Sequence, residues 1–125
     1  MKILLDTHIL LWWLSDDRAL PKEARNLIES ANNVIYLSAA STWEIQIKQK
    51  LGKISLPKNF ASVLRQELFE ELPVTIRHTA RLAELGEYHS DPFDRILIAQ
   101  AIEDGLTLLT HDKMLAEYSP VVMAL

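Results

Sequence analysis

Apolar residues follow two rhythms along this chain. Short continuous runs, too brief for a helix, alternate with longer segments in which apolar positions recur every three or four residues. The first run, "KILLD" (Lys2 to Asp6), predicts a buried strand that ends at an acid. "HILLWWLS" predicts a short buried helix. "LPKEARNLIES" predicts another, with Pro21 near its start and Ala24, Leu27, Ile28 and Ala31 on one face. The β-branched and aromatic "NVIYLSA" (Asn33 to Ala39) predicts a second strand.

"STWEIQIKQKLGK" predicts a helix ending near Gly52, and "NFASVLRQELFEE" one with Phe60, Val63, Leu64 and Leu68 inward. "LPVTI" (Leu72 to Ile76, opened by Pro73) predicts the third strand, followed by a short helix, "RHTARLAELG". "HSDPFDRILIAQA" opens a helix that runs to Asp104 and stops at Gly105. "LTLLT" (Leu106 to Thr110) is the fourth predicted strand, "DKMLAEY" a last short helix and "PVVMA" a fifth strand. Short apolar strands separated by helices predict an α/β fold, a parallel sheet covered on both faces. No repeat or linker interrupts residues 1–125, so one domain is expected.

Composition narrows the class. At 125 residues, 49% of them hydrophobic, with three Gly and five Pro, the chain can bury a core. The lack of Cys excludes a disulfide framework and thiolate metal ligation, and fits a cytoplasmic location. Asp6 and His8 break the apolar run at the start, so a folded segment is expected there rather than a signal peptide. No window resembles a membrane span. The formal charge of −4 argues against a general nucleic-acid coat, unless several acids are gathered around a cation.

The positions of the acids permit such gathering. Asp6 closes the first strand, and Asp112 sits just past the fourth. Glu44 and Asp94 are expected in the first turns of their helices. If those helices run back antiparallel to the strands, all these carboxylates share one edge, where parallel sheets bind ligands. Each also has a purely structural reading. Ser41-Thr42-Trp43-Glu44 spells a capping box. Asp91-Pro92-Phe93-Asp94 spells an N-cap, Pro at the first helical position, and an acid suited to the helix dipole. Asp112 can cap the last helix. Converging acids would repel one another unless a cation neutralised them. Carboxylates, with the Thr7 and Thr110 hydroxyls nearby, are hard oxygen donors that select Mg²⁺ or Mn²⁺ over zinc. His8, His89 and His111 fall near the same edge without metal-binding spacing.

"ILLDTHILLWWL", "SAASTWEIQIKQKLGKISLP", "HSDPFDRILIAQA" and "LLTHDKML", in this order, resemble the PIN-domain ribonuclease toxins of toxin–antitoxin pairs, the VapC type. The resemblance covers nearly the whole chain. It implies a three-layer PIN-like fold with a five-stranded parallel sheet in the order 3-2-1-4-5. It also implies Mg²⁺-dependent RNA cleavage, a homodimer, and a small antitoxin protein whose tail blocks the site. The catalytic and metal-holding acids it implies are Asp6, Glu44, Asp94 and Asp112, with Arg95 and Thr110 in support and Asp91 left as the helix cap.

Two groups of basic residues are candidates for the substrate path: Lys48, Lys50, Lys53 and Lys58 after Glu44, and Arg77, His78 and Arg81 after the third strand. Either can meet phosphates or simply face solvent. Trp12, Trp13 and Trp43 read as core or interface anchors. Two other functions fit parts of the pattern. A haloacid-dehalogenase-like phosphatase would use Asp6 as nucleophile but carries a second Asp two residues on, where this chain has His8. A non-catalytic partner-binding module would not need the full set of acids.

Overall fold

Strand β1 (Lys2–Leu5) lies at the centre of the sheet, where a continuous apolar run is needed on both faces. The computed structural model describes residues 1–86 and 91–125. Ile3 and Leu5 point into one core and Leu4 into the other, as the two-residue period of a strand requires. Strand β2 (Val34–Ser38) pairs with β1 on one side, Ile3 opposite Ile35. Strand β4 (Thr107–Thr110) pairs on the other, Leu4 opposite Leu108. With β3 (Glu70–Leu72) outside β2 and β5 (Val122–Ala124) outside β4, all parallel, the order is 3-2-1-4-5.

Six α-helices occur among the described residues: α1 (Thr7–Leu14), α2 (Lys22–Glu29), α3 (Ala39–Lys50), α4 (Phe60–Gln66), α5 (Ile76–Arg81) and α6 (Pro92–Asp104). Ile9 and Leu10 of α1 and Ala24 and Ile28 of α2 fill the core on one face of the sheet. Leu97, Ile98 and Ala101 of α6 fill the core on the other. Three layers result. Successive connections carry the chain outward from β1 to β2 and β3, then back across to β4. The order therefore reverses between β1 and β4, the position at which open parallel sheets form a crevice beyond the carboxyl ends of their strands.

Local signals set several boundaries as expected. Asp91 Oδ1 accepts from the N–H groups of Phe93 (2.8 Å) and Asp94 (3.1 Å), with Pro92 at the first helical position. Gly105 ends α6 in the left-handed region, φ 67°. Other boundaries differ from expectation. Helix α3 begins at Ala39, capped by Ser38, whose Oγ accepts from Ala40 N at 3.0 Å. The predicted Ser41–Glu44 capping box is therefore absent, and Glu44 lies in the second turn, not the first. The Ala39-Ala40 pair continues the helix backward at little cost, so the earlier Ser wins.

Strand β3 also sits earlier than Leu72 to Ile76. It ends at Leu72 because Pro73 has no N–H to give the ladder, and Thr75 already caps α5. Helix α4 correspondingly stops at Gln66, leaving Leu68 97% exposed. Ala31 falls beyond α2, and the last predicted helix is a 3₁₀ turn over Leu115–Glu117.

Candidate active site

Asp6 stands at the crevice because β1 ends one residue before it. Its N–H still pairs with Leu109 O of β4 at 3.0 Å, while its side chain already caps α1. Asp6 Oδ1 accepts from Ile9 N at 2.8 Å, and Oδ2 accepts from the Thr110 hydroxyl. The residue is 6% exposed. Burial pushes its carboxyl above the ordinary aspartate range. The Ile9 N–H, the Thr110 hydroxyl and nearby His8 offset part of that rise, and the Glu44 charge adds to it.

Glu44 reaches the same place from α3 and is also buried. Its Oε1 accepts from Thr7 Oγ1 at 2.5 Å, and Lys48 Nζ, one turn on, lies 2.8 Å from Oε2. Asp112 is tied in through Thr110, whose fully buried hydroxyl donates to Asp6 and accepts from Asp112 N at 3.0 Å. Asp112 is itself exposed, and its Oδ1 accepts from Met114 N at 3.0 Å. Asp94, half-buried in the first turn of α6, comes to this edge beside α3. The neighbouring Phe93 ring meets Trp43 edge-on at 5.3 Å, one residue from Glu44.

The arrangement is an open constellation rather than a closed cage. Among the described residues, no three His, Asp or Glu side chains converge closely enough to hold one metal ion. The donor set nonetheless fits a hard divalent cation. Both oxygens of Asp6 and Oε1 of Glu44 each accept one hydrogen bond from a neutral donor and keep lone-pair capacity for a ligand, while Glu44 Oε2 carries the Lys48 ammonium. Ser41 Oγ is buried without a hydrogen-bond partner, on the buried face of α3 that also carries Glu44. A buried hydroxyl left without a partner is costly, and polar guests such as a hydrated cation satisfy one.

Several predicted participants have other occupations. Arg95 donates to the carbonyls of Gly86 (2.5 Å) and Leu82 (3.4 Å), pinning the chain that precedes α6. His111 is exposed, with Nδ1 2.5 Å from Leu125 O and its ring against Trp12. His8 is exposed, and His89 lies outside the described residues. Of Arg77, His78 and Arg81, the first is exposed and the other two are committed to neighbours. His78 is buried between Thr75 N (3.0 Å) and Asp104 (2.9 Å), while Arg81 binds Glu103 and Glu84, each at 2.7 Å. Lys50, Lys53 and Lys58 are exposed, whereas Lys48 is committed to Glu44. Trp12 and Trp13 pack on the core, but Trp43 is 63% exposed. The Glu44–Lys48 pair went unread in the sequence, although its i, i+4 spacing was the available signal.

The chain is similar to known proteins in sequence and in fold. Residues 3–119 match the PIN domain family. The chain is 30% identical over 119 residues to Ribonuclease VapC22 of Mycobacterium tuberculosis, an alignment covering 93% of this chain and 91% of that protein. Its fold is similar to a chain in the crystal structure of VapBC2 from Rickettsia felis bound to a promoter DNA fragment. That match has a TM-score of 0.76 at 20% identity, and covers 100% of this chain and 98% of the other. It is also similar to a chain of FitAcB from Neisseria gonorrhoeae, with a TM-score of 0.65 at 25% identity, covering 97% and 96%.

Proposed function

The chain belongs to the PIN-domain family, and from that premise we propose that it is a metal-dependent endoribonuclease, the VapC-type toxin of a toxin–antitoxin pair. The observation that carries the reading is the buried Asp6–Glu44 pair at the β1/β4 crevice, with Thr110 joining Asp6 to Asp112. Two carboxylates buried within electrostatic reach of each other are costly unless an attracted cation uses them. The relative named a ribonuclease supports RNA as substrate, and the VapBC complexes among the similar structures support a small antitoxin as partner.

In this reading Asp6, Glu44, Asp94 and Asp112 are the residues that would hold Mg²⁺, with Mn²⁺ as substitute. Held there, such an ion would supply a water of lowered pKa and offset charge developing on the scissile phosphate. The protein's own part is positioning. Thr7 and Thr110 fix one oxygen each of Glu44 and Asp6, and Asp91 holds the turn of α6 that presents Asp94. Arg95 supports that turn from behind through the Leu82 and Gly86 carbonyls.

A homodimer completes the proposal. Ile47 of α3 and Leu51, which caps it, are exposed in line with Trp43, at i, i+4 and i+8, and half-buried Val63 of α4 lines an apolar groove shared with α1. Such a stripe is buried by association. Light scattering at micromolar protein is expected to give twice the chain mass; a monomer mass would overturn the dimer. We place the protein in the cytoplasm. Among the described residues, no helix is long and apolar enough to cross a membrane.

The test is a titration of Mg²⁺ into chelator-treated protein with a short single-stranded RNA. Internal cleavage that requires the ion supports the proposal. Release of phosphate from a terminal ester without internal cleavage would assign a phosphatase acting through Asp6. Neither activity would leave a partner-binding module.

A further inference from the structure

Lys48 is the residue of this edge that catalysis by carboxylates does not require. Its stem leaves α3 one turn after Glu44, and its ammonium lies 2.8 Å from Glu44 Oε2. The two side chains differ sharply in exposure, 31% for Lys48 against 7% for Glu44. A partly solvated lysine side chain therefore places its ammonium on a carboxylate that solvent hardly touches. A Glu four residues before a Lys is ordinary on a helix surface and contributes little there. Here the acid is buried beside a second buried acid, and the hydrogen-bond donors around Asp6 are neutral, an N–H and a hydroxyl.

Two carboxylates thus share a poorly solvated site with the Lys48 ammonium on Glu44. We propose that Lys48 is the resident counter-cation of the site, holding Glu44 in the metal-free protein and displaced from Oε2 when a divalent cation binds. The inference rests on the reading of Asp6 and Glu44 as cation ligands. It follows from charge and reach. An ammonium and a divalent ion cannot both occupy the same oxygen without strong repulsion at low dielectric. The flexible four-carbon stem lets the ammonium withdraw to water, whereas Glu44 is fixed by Thr7. The device makes the site stable before the ion arrives and sets its affinity lower than the carboxylates alone would give.

The experiment is a thermal-melt titration of Mn²⁺ into chelator-treated full-length protein, comparing the parent with Lys48→Gln and Lys48→Arg. Ligation to the native state raises the melting temperature by mass action, so the curves report affinity without reference to activity. Lys48→Gln is expected to melt lower than the parent without metal and to bind Mn²⁺ at least about tenfold more tightly, roughly 1.4 kcal/mol. The gap in melting temperature should close at saturating ion. Lys48→Arg, which keeps the charge, should stay within about threefold of the parent. A responsive parent together with unchanged or weaker binding by Lys48→Gln would overturn the counter-cation role alone. A parent that does not respond to the ion would overturn the metal reading, and this inference with it.

Discussion

Two clusters of buried or half-buried charge sit in this fold, and they are resolved in opposite ways. At the far end of α6, Glu103 and Asp104 lie where the helix dipole disfavours acids. Helix α5 answers them with Arg81 on Glu103, Arg77 nearby, and His78 on Asp104. Every group there has a partner of complementary charge or a hydrogen bond, including His78 Nδ1, which accepts from Thr75 N. At the β1/β4 crevice, two buried carboxylates meet neutral donors and one ammonium, and a buried hydroxyl beside them finds no partner. The first cluster fastens one helix to another. The second keeps a surplus of negative charge that only a ligand would use. Basic residues alone did not separate the two; the partners did.

The largest effect should come from removing charge at the crevice without removing shape. Asp94→Asn should lower RNA cleavage at least roughly a hundredfold, since even groups behind metal ligands commonly cost ten- to a hundredfold. The metal-free variant should melt no lower than the parent, because one repelling charge is gone. The contrary pattern is expected of the other cluster. His78→Ala should destabilise the protein by about 2–3 kcal/mol, since it orphans Thr75 N and Asp104. Its cleavage rate per folded molecule, measured well below the melting point, should stay near that of the parent. If His78→Ala abolished cleavage while remaining folded, the division between the two clusters would fail.

A smaller effect concerns pH. Asp6 is raised in the folded state, first by burial, so the native protein holds that proton more tightly than the unfolded chain. Its stabilising contribution is therefore complete below the ordinary aspartate range and is lost as pH rises through the elevated range. In chelator, the parent should lose stability across that window relative to Asp6→Asn, as read from melting temperature against pH. Saturating Mg²⁺ should remove much of the difference, because the ion favours the ionised carboxylate. The smallest effect is expected for Asp91→Asn. Asn caps a helix about as well as Asp, so stability should change by no more than about 0.5 kcal/mol and most cleavage should remain.

The features that sequence conveyed were those written locally. Asp91-Pro92 and Gly105 bracket α6 because cap and stop chemistry act within a few residues. Alternating strands and helices gave the parallel sheet, and the resemblance gave its order. The errors lie where two local signals competed. Ser38 and Ser41 both offer a cap, and the low cost of helical Ala39-Ala40 together with packing of Ala40 beside Ile96 and Ala99 favours the longer helix. Edge strand β3 carries exposed Glu70 and Glu71, so its apolar signature is too weak to outweigh that of Val74 and Ile76 beyond Pro73. The ties of His78 to Asp104 and of Arg81 to Glu103 were hidden for a different reason: those acids lie more than twenty residues away on α6. Of the site, the acids could be named from sequence, but the Thr7–Glu44 and Thr110–Asp6 bonds span the fold.

The account stands or falls on whether the negative surplus at the crevice serves a cation that drives cleavage. The direct measurement is cleavage of a short single-stranded RNA by chelator-treated parent and Glu44→Gln, with Mg²⁺ added back in steps. Glu44→Gln keeps the size of the side chain and an acceptor for Thr7 while removing the charge. The parent should be silent in chelator and recover with the ion. Glu44→Gln should stay folded and remain at least roughly a hundredfold slower at every Mg²⁺ concentration. Cleavage by the parent in chelator, or parent-like cleavage by Glu44→Gln at ordinary Mg²⁺, would contradict the account.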